Sequence, residues 1–195
     1  KPFIRGKEFE KVGNYWELKD RDNPLGIHRR IQIFNRNGLI AVVYNNRGNV
    51  YGDLGQYIKA ISDYTKAIEF NPEYAKTYCN RGVVYRKLDD LDQAISDYTK
   101  AINFNPKYAT AYNNRGNAYF ALDQYYKAIS DYTKVIDFNP KYATVYNSRG
   151  LAYDNLEQYC KAISDYTRAI ELDARYAMAY NNRGNVYGDL GQYIK

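Results

Sequence analysis

From Ala41 onward, apolar and polar residues fall into two successive helical rhythms. Tyr44, Gly48, Tyr51 and Leu54 lie on one stripe of an α-helix at about 100 degrees per residue. Tyr57, Ala60, Ile61, Tyr64, Ala67 and Ile68 then follow the i, i+3, i+4, i+7 spacing of a wider apolar face, so the second helix is predicted to be the more buried. The polar turn between them, Asp53 to Gln56, is so short that only an antiparallel hairpin of helices fits. Asn71-Pro72 ends the second helix, because proline disfavours α geometry in the residue before it.

The pattern then repeats. Tyr44 to Lys59 and Tyr180 to Lys195 both read YNNRGNVYGDLGQYIK and lie 136 residues apart, four times 34. At that spacing the chain divides, without insertion or deletion, into four full units, 41–74, 75–108, 109–142 and 143–176, and an incomplete fifth, 177–195. A fixed period of this size is the sequence signature of a solenoid. Positions are numbered 1 to 34 within each unit, starting at Ala41. Ala174 replaces the position-32 proline of the fourth unit, whose second helix is therefore expected to run on further. Position 8 holds Gly48, Gly82, Gly116, Gly150 and Gly184. Glycine inside a helix costs about 1 kcal/mol relative to alanine, so its recurrence implies close helix approach, with Ala60, Ala94, Ala128 and Ala162 as expected partners.

A 34-residue period carrying Tyr at 4, Gly at 8, Tyr at 11, Ala at 20, Tyr at 24, Ala at 27 and Pro at 32 resembles the tetratricopeptide repeat over residues 41–195. Val135 at position 27 and Ala174 at position 32 are single departures. The resemblance implies an all-α fold, an α-α superhelix (solenoid) of stacked antiparallel helix hairpins, whose first helices line a concave groove that holds peptides or partner proteins.

Residues 1–40 do not align with the repeat. Phe9, Val12 and Trp16 have helical spacing interrupted by Gly13, whereas Arg30 to Phe34, Asn35 to Gly38 and Leu39-Ile40 read as a hairpin. The two readings stay open, and the segment is expected to be a loosely ordered leader covering the exposed face of the first unit. The chain does not begin with methionine and stops just before the fifth unit's position-20 alanine, so it is expected to be a piece of a longer protein.

Composition changes the picture in only a few respects. All of the 24 tyrosines except Tyr15 and Tyr126 sit at unit positions 4, 11, 17, 24 and 34. They are expected in the core, where truncation of a large aromatic costs about 3–5 kcal/mol, and not on a base-stacking surface. The net charge of +6 is concentrated in the leader: residues 1–40 hold 9 Lys or Arg against 5 Asp or Glu, and residues 41–195 hold 19 against 17. The repeats lack the continuous cationic path that nucleic acid requires. Cys79 and Cys160 occupy different unit positions and read as free thiols of a reducing compartment. No membrane span or charged-then-apolar leader is visible, and the expected location is cytoplasmic.

Binding chemistry is expected on the first helix, opposite the stripe of positions 4, 8 and 11. Position 5 reads Asn45, Cys79, Asn113, Asn147, Asn181; position 6 reads Asn46, Asn80, Asn114, Ser148, Asn182; position 9 reads Asn49, Val83, Asn117, Leu151, Asn185. Each carboxamide offers a donor and an acceptor, so the column suits the main chain of an extended peptide. Lysine, glutamate or glutamine would serve solubility alone with better helix propensity. The column resembles the asparagine ladder in the tetratricopeptide superhelix of the O-linked N-acetylglucosamine transferase. Four or five net hydrogen bonds at about 0.5–1.5 kcal/mol each barely exceed an association cost of about 4 kcal/mol upward. Selectivity is therefore assigned to positions that differ between units: Lys76, Arg86 and Lys87 in the second, Phe120 in the third and Asp154 in the fourth, with Asp53 at one end. The expected ligand has an acidic stretch over unit two and an apolar side chain near Phe120.

Co-chaperone repeats that grip a terminal carboxylate carry Lys at 5 and Asn at 9 of one unit, Asn at 6 of the next, and Lys at 2 with Arg at 6 of the third. This chain has Asn49 and Asn80, but Asn45, Thr110 and Asn114 stand where cations belong; in units three to five Asn113, Met178 and Asn182 do so. Charge-assisted contacts carry that recognition, so chaperone-tail binding is not expected. Arg47, Arg81, Arg115 and Arg149 at position 7 are instead expected to bridge, within each full unit, to Asp63, Asp97, Asp131 and Asp165 at position 23. Catalytic signals are missing: His28 has no companion cluster, Gly48, Gly52 and Gly55 lack phosphate-loop spacing, and Ser62, Ser96, Ser130 and Ser164 occupy an outward face. The expected function is that of a non-enzymatic scaffold or adaptor, without metal or cofactor, binding an extended segment of a protein or peptide partner in an Asn-lined groove. The alternative is a substrate-recruiting arm of a larger enzyme. A third reading is self-association through the incomplete fifth repeat, whose first helix lacks a partner.

Overall fold

The computed structural model describes residues 8–12, 15–19, 30–31 and 36–191. The repeats form helix pairs α1 (Arg36–Asp53) and α2 (Tyr57–Phe70), α3 (Ala75–Lys87) and α4 (Leu91–Phe104), α5 (Ala109–Ala121) and α6 (Tyr125–Phe138), α7 (Ala143–Asn155) and α8 (Tyr159–Leu172), followed by α9 (Ala177–Asp189). Each helix packs on the next in sequence. First helices also touch the first helices of adjacent units, whereas no second helix touches another. The array therefore curves with its first helices on the inner side.

Ahead of the solenoid, β1 (Glu8–Val12), β2 (Tyr15–Lys19) and β3 (Arg30–Ile31) form a small antiparallel sheet in the order β1-β2-β3. The expectations for the leader match this arrangement only in that Arg30–Ile31 is a strand. Residues 8–12 and 15–19 are antiparallel strands in which Val12 opposes Tyr15, instead of a helix, and residues 36–40 begin α1 instead of closing a hairpin. In the sequence the pair Gly13-Asn14, a two-residue hairpin signal, stands between these two strands. None of the strands contacts α1, so the expected cover over the first unit is not seen among the described residues. His28 lies outside them, as do residues 192–195.

Each second helix buries positions 20, 24 and 27. Ala60, Tyr64 and Ala67, and their counterparts in the other units, are at most 2% exposed. The glycine at position 8 admits the tyrosine ring at 24, not the alanine expected at 20. A Cβ on Gly48, Gly82, Gly116 or Gly150 would lie 2.7–2.8 Å from the ring of Tyr64, Tyr98, Tyr132 or Tyr166; at Gly82 the Ala94 carbonyl also comes close, at 3.2 Å. The tyrosines are also less uniformly buried than their spacing suggests. Those at position 24 are fully inside, while Tyr142 and Tyr180 are exposed and most others half-buried.

The fourth unit's second helix does not run on: α8 has 14 residues, as do α2, α4 and α6. Its stop is set one residue before the missing proline. Asp173 Oδ1 accepts a hydrogen bond from the Arg175 N–H at 3.0 Å, as Asn105 does from Lys107 and Asn139 from Lys141 at 3.2 Å. Such an Asx turn offers the backbone an alternative to the helix with or without proline.

All four expected ion pairs form, each a two-pronged contact of 2.6–2.9 Å from arginine Nε and Nη2 to both aspartate oxygens. The arginine also does something its spacing within a unit does not reveal. Nη1 of Arg81, Arg115, Arg149 and Arg183 donates to Thr65, Thr99, Thr133 and Thr167 of the preceding unit at 2.9–3.0 Å. One guanidinium thus ties its own hairpin together and fastens it to the one before. It also lies 5.6–5.9 Å from the centroids of the tyrosines at positions 4 and 11 in units two to four, where cation–π attraction adds to its hold.

Candidate peptide-binding surface

The inner wall is built from the outward stripe of α1, α3, α5, α7 and α9. Its asparagine column is largely turned in on itself. Asn80 Nδ2 donates to Asn45 Oδ1 at 3.1 Å and to Asn49 Oδ1 at 2.9 Å. Asn182 donates to Asn147 at 3.0 Å, and Asn114 makes a long contact of 3.8 Å to Cys79 Sγ. Position 6 of each of these units thus reaches back to position 5 of the unit before. Asn45 and Asn147, expected to meet a ligand, are 0% and 2% exposed. They are corrected to structural residues, buried because the inward curve closes the next first helix over them. Asn46, Asn181 and Asn185 remain exposed, and Asn80, Asn113, Asn114, Asn117, Ser148 and Asn182 are half-buried.

Position 9 has a second duty. The hydroxyl of Tyr64 donates to Asn49 at 2.9 Å and that of Tyr132 to Asn117 at 2.8 Å. Units two and four carry Val83 and Leu151 there, and the buried hydroxyls of Tyr98 and Tyr166 have no hydrogen-bond partner. The guanidinium of Arg86 lies near enough to Tyr98 to oppose the effect of burial, which still raises that phenol's pKa. Burial raises the Tyr166 phenol as well, with Asp154 and Asp165 adding to the shift. An unmade buried hydrogen bond costs about 1–3 kcal/mol, while a satisfied one contributes about 0.5–1.5 kcal/mol. Tyr166→Phe is therefore expected to leave the protein as stable or to stabilise it by about 1 kcal/mol, whereas Tyr132→Phe destabilises it by a similar amount. Urea denaturation of both variants checks this; equal losses would refute the assignment.

Of the residues assigned to selectivity, the structure gathers three at one place, Asp53 with Lys76 and Lys87. Lys76 and Lys87 line a cleft of about 310 Å³ between α1 and α3, together with Asn49, Asp53, Asn80 and Val83. Arg86 is exposed beside it. Phe120 is half-buried with its ring edge-to-face on Tyr125, centroids 5.3 Å apart, and so turns partly toward α6. Asp154 is half-buried, and burial together with Asp189 raises its carboxyl pKa. The wall thus carries two lysines beside Asp53 near its first two units and carboxylates near its last two. Cys79 is buried and Cys160 exposed, both as free thiols. Among the described residues no cluster fit for a metal ion occurs, and no helix is long and apolar enough to cross a membrane.

Models of the tetratricopeptide repeat match residues 41–74, 109–142 and 63–96, and a TPR repeat model matches 82–123 and 155–191. The chain belongs to the tetratricopeptide repeat family. No curated protein matches it. Among solved structures, MamA is 28% identical with a TM-score of 0.75, over 80% of this chain and 85% of that one. The first TPR of Spaghetti (RPAP3), bound to the HSP90 peptide SRMEEVD, is 32% identical with a TM-score of 0.60, over 62% of this chain and 98% of that one. YrrB, a TPR protein with an unusual peptide-binding site, shares the fold at 22% identity and a TM-score of 0.70, over 78% of each chain. Tetratricopeptide proteins are generally non-catalytic protein-interaction modules, and this one is a protein-interaction scaffold of the same solenoid form.

Proposed function

We propose that the tetratricopeptide solenoid binds an extended peptide segment along its inner wall, with acidic residues over unit two and basic ones toward Asp154 and Asp189. The observation that carries this is the cleft between α1 and α3, where Lys76 and Lys87 face a common space beside Asn80 and outnumber the one carboxylate, Asp53. A relative at 32% identity holds the acidic peptide SRMEEVD, which supports an acidic ligand. The present chain lacks cations at the positions expected to clamp a terminal carboxylate, so recognition is assigned to internal acidic side chains. Asn46, Asn113, Asn114, Asn117, Asn181, Asn182 and Asn185 supply main-chain contacts, and Phe120 takes an apolar side chain. Because several carboxamides are already spent on each other, charge provides most of the selectivity.

The test is fluorescence anisotropy with a labelled, C-terminally amidated peptide carrying an acidic run followed by a basic one. Combined charge reversal at Lys76, Arg86 and Lys87 is expected to weaken binding at least about tenfold and to flatten its salt dependence, since partly exposed charge pairs govern both. Unchanged affinity would sink the placement. Asn80→Ala is a poor probe, because it strips Asn45 and Asn49 of their donor.

A further inference from the structure

In every unit after the first, positions 3 and 10 of the first helix receive the second helix of the unit before. Val84 packs on Ala60 and Tyr64, Ala179 on Ala169, and Val186 on Ala162 and Tyr166. All eight residues at these positions in units two to five are at most 3% exposed, whereas their equivalents in α1, Val43 and Val50, are 59% and 55% exposed. Arg47 repeats the contrast: its side chain is 53% exposed against 14–17% for Arg81, Arg115 and Arg149. Among the described residues its hydrogen bonds run to Asp63, without the threonine that each later arginine reaches.

What would cover this face is written in the chain. Residues 41–53 of α1 read AVVYNNRGNVYGD and α9 reads AMAYNNRGNVYGD, so α1 is nearly the same helix as the one already seated on α8. We propose that α1 docks on α8 of a second copy in place of that copy's α9. Val50 then occupies the site of Val186 against Ala162 and Tyr166. Arg47 gains Thr167 of the second copy, the partner now held by Arg183, and Asn46 gains Asn147, the partner now held by Asn182. Val43 is larger than Ala179, yet Val145 is buried at the same position against Val135 of α6, and α8 carries the smaller Ala169 there. The interface joins one end of the array to the other, so it is heterologous and continues the solenoid from copy to copy.

The exchanged contacts are nearly equal, and the tethered α9 competes at an effective concentration of the order of millimolar. Assembly of the unaltered protein is thus expected only at high concentration, and α9 acts as its brake. The experiment compares full-chain variants by sedimentation velocity, with circular dichroism confirming the helices. Val186→Asp frees α8 and is expected to lower the concentration for half-assembly by about tenfold or more. Val50→Asp, the corresponding change in an identical local sequence, is expected to abolish assembly, and the double variant to remain a monomer. Two results overturn the proposal: Val186→Asp staying monomeric, or the double variant assembling as readily as Val186→Asp, which would mean indiscriminate adhesion of the bared α8.

Discussion

Replacing Arg115 by alanine is expected to destabilise the array by about 3–5 kcal/mol, the range for removing one partner of a buried ion pair. The Arg115 and Asp131 side chains are 16% and 6% exposed, so the remaining carboxylate would keep little of its hydration. The same change strips Thr99 of its donor and leaves the rings of Tyr112 and Tyr119 without the cation beside them. Lysine is not expected to rescue the variant, since a single ammonium cannot reproduce the forked contact to both oxygens and the third bond to threonine. Because Arg115 fastens unit three to unit two, the urea transition should also broaden, as nearest-neighbour coupling in a repeat array weakens. Arg47→Ala should cost clearly less, because Arg47 is exposed and has no preceding threonine. A loss below about 1 kcal/mol at Arg115 would place this ion pair among weak surface bridges.

These bridges were legible in the sequence because Arg at 7 and Asp at 23 recur in every full unit, and an antiparallel hairpin leaves few ways to pair them. The helix boundaries were legible for the same reason. What escaped depends on how one unit meets the next. The thriftier use of Nη1 on a neighbouring threonine, the burial of Asn45 and Asn147, and the placement of the tyrosine ring over glycine all follow from the angle and curvature of stacking, which no spacing within a unit encodes. One signal was nevertheless available for the orphaned hydroxyls: Val83 and Leu151 stand where Asn49 and Asn117 stand in alternate units, while the tyrosine at 24 never changes. Nor did the leader repeat, so it lacked the internal replication that made every other residue interpretable; Gly13-Asn14 was its best local clue.

Position 8 gives the sharpest separation of sequence from environment. Gly48 and Gly184 lie in the same ten-residue text, YNNRGNVYGD, one with a second helix against it and one with none among the described residues. A methyl on Gly48 would meet Tyr64 Cε1 at 2.7 Å and Cδ1 at 2.8 Å, while one on Gly184 meets nothing within 4 Å. The Tyr64 ring cannot swing away freely, since its hydroxyl is held by Asn49 and the residue is 2% exposed. Overpacking costs about 1–3 kcal/mol, against a helix-propensity gain of about 1 kcal/mol for glycine to alanine. Gly82→Ala should be costly for a second reason, because the Ala94 carbonyl at 3.2 Å belongs to backbone that cannot rotate aside. Gly184→Ala should keep the whole propensity gain and raise the stability of α9 on α8. Thermal denaturation is expected to give shifts of opposite sign for Gly82→Ala and Gly184→Ala; shifts in the same direction would mean that the ring yields and that glycine at position 8 serves something other than room for the tyrosine.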